Sequence, residues 1–118
     1  MSKMVLLMVC IMIIAGCSVE PLEVMKVAHL TSITEIKEQK RIKRIDQLLS
    51  PLQWQDRSLP TNGDPDYSFW LERKGVENRV KNYELWVNDH QSVIIDHVTV
   101  KYAYIKGDSL RELVHLLK

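Results

Sequence analysis

The first seventeen residues constrain this chain most, because they decide how much of it is left to fold. Lys3 stands just behind the N-terminus, an apolar run follows from Met4 to Ile14, and the small pair Ala15-Gly16 precedes Cys17. A positive start, a short apolar stretch and small residues at its end are the parts of an export signal, small because a peptidase must approach the backbone there. The competing reading is a retained membrane helix. Spanning a bilayer takes about 20 apolar residues, and the run from Met4 to Gly16 falls short of that. The expected organisation is therefore a signal peptide over residues 1–16, a short tether over 17–21 and one folded domain over 22–118.

Ile14-Ala15-Gly16-Cys17 resembles the bacterial lipobox, in which an aliphatic residue and two small ones lead into a cysteine. The resemblance implies cleavage before Cys17, a diacylglyceryl group on its sulfur and further acylation of its amine. It also implies a cell-membrane address on the extracytoplasmic face, with attachment through lipid and no other cofactor.

Several consequences follow if residues 1–16 are removed. About a hundred residues remain, enough for a single core. Of 16 basic side chains only Lys3 is lost, leaving 15 against 15 acidic ones. A neutral chain does not fit nucleic-acid binding, which needs a concentrated basic face. Cys10 is discarded and Cys17 is consumed by lipid, so neither a disulfide nor a thiolate site is available to the domain.

Along the chain, residues 22–30 fit neither period cleanly, and a strand through Ile36 is the preferred reading over a capping box at Ser32 and Glu35. A helix is expected from near Glu38, with Ile42, Ile45, Leu48 and Leu49 on one stripe and Ser50-Pro51 ending it. Its other face carries Lys37, Lys40, Arg41, Lys43 and Arg44. On a lipid-anchored protein, Lys40, Arg41, Lys43 and Arg44 form a candidate surface for anionic headgroups or wall polyanions. Glu35, Glu38 and Asp46 dilute that field toward an ordinary solvated face.

Residues 53–57 read as a short strand, and 58–66 as a loop rich in turn formers. Asp64 and Asp66 are too few for calcium, which takes six or more oxygens. Tyr67, Phe69 and Leu71 then alternate with Ser68, Trp70 and Glu72, Gly75 reverses the chain, and Tyr83 and Leu85 alternate with Glu84 and Trp86. Trp70 and Trp86 are expected to pair across these strands. After a turn at Asn88–Gln91 come Val93-Ile94-Ile95 and a last strand from Val98 to Ile105. A helix closes the chain, with Ser109 and Glu112 spaced as a capping box and Leu110, Leu113, Val114 and Leu117 at i, i+3, i+4 and i+7. The expected class is α+β, an antiparallel β-meander packed with two helices.

This order behind a lipobox resembles the YhfM-like lipoprotein domain of Bacillus-type bacteria. The resemblance rests on Ile36-Lys37-Glu38-Gln39-Lys40-Arg41-Ile42, on Asp66-Tyr67-Ser68-Phe69, on Tyr83-Glu84-Leu85-Trp86-Val87, and on Tyr104 leading into Leu110-Arg111-Glu112-Leu113. These are packing patterns, and they imply a fold and an address without a catalytic residue.

For chemistry the sequence offers one repeated element, Asp89-His90 and Asp96-His97, since imidazole with carboxylate is what zinc or a general base uses. Catalytic zinc needs three protein ligands, and residues seven apart on one strand face opposite ways. Two histidines flanking turns are the simpler reading. His29 and His115 belong to no motif, and the chain has no Gly-rich phosphate loop, G-x-S-x-G or H-E-x-x-H. The composition thus favours a non-catalytic binding or interaction module with an envelope protein partner. The alternative is a metal-dependent enzyme or metal-binding protein using Asp89, His90, Asp96 and His97.

Overall fold

A computed structural model describes residues 22–56 and 63–118. The strands are β1 (Glu23–His29), β2 (Ser32–Ile36), β3 (Tyr67–Arg73), β4 (Lys81–Trp86), β5 (Ser92–Asp96) and β6 (Lys101–Ile105). Helix α1 (Gln39–Leu49) follows β2, and α2 (Gly107–Leu117) follows β6. All strand pairs are antiparallel, in the spatial order β2-β1-β3-β4-β5-β6. The architecture is the expected α+β meander with two helices.

Alternation decides which side of the sheet is covered. Met25 and Val27, Phe69 and Leu71, Tyr83 and Leu85, Ile94, and Ala103 and Ile105 all lie on one face. They meet Ile42, Ile45, Leu48 and Leu49 of α1 and Leu113 and Leu117 of α2 in a single core. The stripe read from the sequence of α1 is therefore the buried one, with all four residues withdrawn from water. On the other face Val93, Ile95 and Tyr102 form a smaller apolar cluster beside Trp86.

Four local expectations are corrected. Residues 22–36 form a hairpin and not one strand: Leu30 and Thr31 make the turn between His29 and Ser32, with Leu30 at φ 57°. That turn has no Gly, Asn or Asp to announce it. The last strand begins at Lys101, because Val98 and Thr99 donate their backbone N–H groups to Asp96 Oδ1 at 2.9 and 3.3 Å and Val100 turns at φ 57°. An Asx-type turn has replaced the start of that strand.

Trp70 and Trp86 do not pair. The β3–β4 register sets Trp70 opposite Asn82, while Trp86 lies opposite Val93 of β5. Trp70 instead lies under the Arg79 guanidinium, 4.0 Å from its ring centre, and donates to Glu72 at 2.8 Å. That indole hydrogen bond, with Lys26 at 3.1 Å adding to it, holds the Glu72 carboxyl below its ordinary range.

The capping box at Ser109 and Glu112 does not form either. Gly107, at φ 65°, turns the chain from β6 into α2, so the helix starts three residues early, with Lys106 at the N-cap and no side-chain cap. Glu112 is drawn instead to Arg44 of α1, which donates to it in a bidentate pair with one bond of 2.7 Å. Hydrogen bonding to Arg44 lowers the Glu112 pKa and raises that of Arg44. Of the expected short strand at 53–57, the described part contributes a single bridge, Gln55 to Tyr102.

Candidate functional site

Cys17 lies outside the described residues, as do the rest of the signal and tether. The two Asp-His pairs are not brought together. Asp89 and His90 sit in the turn before β5, whereas Asp96 ends that strand and His97 follows it. His97 pairs with Glu84 of β4, and Asp96 holds its own turn. Among the described residues no three His, Cys, Asp or Glu side chains gather as a metal site.

The basic face of α1 is split by α2. Arg41 donates through Nε to the Leu116 carbonyl at 2.7 Å and through Nη2 to that of Lys118 at 2.6 Å. It thereby serves carbonyls that the end of a helix leaves without partners. Arg44 is held by Glu112. Lys40 and Lys43 make no hydrogen bond or ion pair to any described residue, so two of the four residues read as a polyanion surface join the helices to each other.

A feature not visible in the sequence lies between α1 and the sheet. Asp46 of α1 and Lys81 of β4 form an ion pair across the gap, and a cleft opens on either side of it. One, of about 380 Å³, has Met25, Ile42, Ile45 and Leu71 at its floor and Lys43 at its rim. The other, of about 400 Å³, runs past Trp54, Val80, Asp96 and Thr99. Both are within the size range of small-molecule sites, about 300–1,000 Å³.

Tyr83 lines both clefts. Its side chain is 6% exposed and packs against Phe69 and Trp54, with ring centres 5.2 and 6.3 Å away. Its hydroxyl makes no hydrogen bond to any described residue, although a buried tyrosine usually places that group on a partner. Burial, then the carboxylates of Asp96 and Asp46, pushes the phenol well above its ordinary value. At neutral pH it is a neutral donor and acceptor above an apolar floor. The groove offers burial, one hydrogen bond and a free ammonium at its edge, which is binding chemistry. Sequence alternation places Tyr83 on the core side with Leu85, and a tyrosine there needs a polar partner. That was the available signal.

The raised phenol pKa makes a pH prediction with a definite sign. Up to about pH 10, the ordinary tyrosine value, the phenol is neutral in both states and the stability linked to it is fully present. Above that the unfolded chain ionises first, so stability falls as pH rises toward the folded value. Asp46, Asp96 and Lys81 face the same space, so the comparison must be with Tyr83→Phe in the same buffers. The wild-type urea midpoint should drop more steeply between about pH 10 and 11 than that of Tyr83→Phe. Parallel curves would show that burial does not hold this phenol neutral.

Comparison with protein-family models, with curated proteins and with solved structures finds no match to this chain.

Proposed function

We propose that this protein is a lipid-anchored, extracytoplasmic lipoprotein whose single domain is a non-catalytic binding or interaction module of the cell envelope. The observation that carries the reading is Ile14-Ala15-Gly16-Cys17, placed directly after an apolar run too short to span a bilayer. A single acyl chain binds membranes only marginally, whereas two anchor stably, so a diacylglyceryl group suffices without help from Lys40 or Lys43. The α1–sheet groove, with the free Tyr83 hydroxyl, supports a binding role for the domain beyond the anchor. The similarity to YhfM-like lipoproteins is part of the same proposal and rests on the packing patterns already given.

The test is Cys17→Ala. Wild-type chain should take up labelled palmitate and sediment with membranes. The variant should take up none and accumulate as unprocessed precursor or soluble product. A variant that is still cleaved and still retained at the membrane would refute lipid anchoring.

A further inference from the structure

The two edges of the sheet are treated differently. At β6 the edge is engaged at one residue, where Gln55 and Tyr102 exchange both backbone hydrogen bonds, at 2.8 and 3.1 Å. At the other side β2 is the last strand, and only its final residue, Ile36, is buried. Exposed edges present unpaired N–H and C=O groups, and folded proteins usually blunt them with charge, proline or a bulge. β2 has no proline, its Glu35 is neutralised by Lys37 at 3.7 Å, and Ile33 stands 64% exposed on it.

The turn into β2 is a second and independent sign. Leu30 is held at φ 57°, a conformation that glycine adopts freely and that costs an L residue. Its side chain is 89% exposed. An apolar residue kept in water contributes nothing to the core of its own molecule, and this one stands where the chain enters the outermost strand.

We propose that β2 pairs with β2 of a second copy of this chain, antiparallel about a two-fold axis at Thr34, joining two sheets into one. In that register Ile33 faces Glu35 of the second copy, Ser32 faces Ile36, and the two Thr34 side chains meet. Thr–Thr is a favourable cross-strand pair, and no like charges fall directly opposite. Leu30 comes alongside Glu38 of the second copy, where α1 begins, and leaves the solvent. A two-fold contact uses the same β2 edge of both copies, so this pairing closes at two, as isologous contacts do. The proposal rests on the lipid-anchored reading in one respect. A five-residue edge is small beside a standard interface, and tethering both copies to one membrane supplies the effective concentration.

The experiment is oxidative crosslinking of the full chain in its membranes, carrying Thr34→Cys. Residues directly opposite in an antiparallel pair lie about 4.5–5.5 Å apart at Cα, within disulfide reach. A product of twice the chain mass is expected, with none from Gln91→Cys at the exposed β4–β5 turn. Adding Ile33→Lys or Leu30→Gly to Thr34→Cys should reduce the product several-fold. Leu30→Gly also relieves the turn, so its melting temperature should not fall, which separates lost pairing from lost folding. Linkage no better than that of Gln91→Cys overturns the proposal. So does linkage to a different protein, or a product unaffected by both added changes. If the chain without Thr34→Cys crosslinks through Cys17, the anchoring reading fails by itself, and edge pairing is then read with Cys10 and Cys17 changed to Ser.

Discussion

Phe69→Ala is expected to destabilise the domain by about 3–5 kcal/mol, the usual cost of truncating a buried aromatic. Phe69 lies on β3 and is 0% exposed. The register places it between Val27 of β1 and Tyr83 of β4, and its ring leans on that of Tyr83 at 5.2 Å. Truncation removes the apolar contacts, the ring pair and the support beneath the tyrosine at once. The neighbours are strand residues fixed by hydrogen bonds on both sides, so they cannot close the cavity. Since a single domain is commonly stable by about 5–15 kcal/mol, much of the molecule would be unfolded at 37 °C. Phe69→Leu fills most of the volume and should recover the greater part of the loss. Chemical denaturation measures both, and equal midpoints for Ala and Leu would show that the site collapses freely.

Leu113→Ala should cost about 2–5 kcal/mol and reports on a different joint. Leu113 is 0% exposed and, with Leu117, forms the side of α2 that enters the core. The polar ties between the helices, Arg44 to Glu112 and Arg41 to the Leu116 and Lys118 carbonyls, lie at the surface. Exposed ion pairs contribute about 0–1 kcal/mol, so they cannot replace the lost burial. In a domain of about a hundred residues each kcal/mol shifts the melting temperature by about 4–8 °C. An unchanged melting temperature would mean that α2 opens independently of the sheet. Glu112→Gln, which breaks the ion pair alone, should shift it far less.

The strongest periodic segments were legible. Ile42, Ile45, Leu48 and Leu49 recur at helical spacing because one face of α1 must leave water. Phe69-Trp70-Leu71 and Tyr83-Glu84-Leu85 alternate because the sheet has one covered face. Legibility ended where the chain departs from local rules. Leu30-Thr31 carries no turn residue, so the β1–β2 hairpin was hidden by a side chain occupying a conformation glycine prefers. Ser109 and Glu112 had capping-box spacing, but Glu112 gains more from the guanidinium of Arg44 than from a backbone N–H. The tryptophans were assigned to the correct face and given the wrong partners, since alternation fixes the face and register fixes the neighbour.

The site followed the same division. Cys17 was read from contiguous residues, because the lipobox it resembles is a linear pattern that needs no tertiary contact. The Asp-His dipeptides looked alike in sequence and lie at opposite ends of β5, where Asp96 holds its own turn and His97 pairs with Glu84. Asp46, Lys81, Tyr83 and Asp96 come from one helix and two strands, and nothing in their spacing announces a groove.

The sequence alone determined the α+β class, the faces of the helices and of the central strands, and the expectation of an anchored chain, because each depends on neighbours along the backbone. Tertiary structure decided that Arg41 and Arg44 clamp α2 rather than remain free, that the Tyr83 ring is buried while its hydroxyl bonds to no described residue, and that Gln55 bridges the β6 edge while no described residue pairs with β2 from outside. These outcomes depend on which distant residues come to share a dry interior. Burial there makes pairing strong and its absence costly, and no local pattern records which groups will be left over.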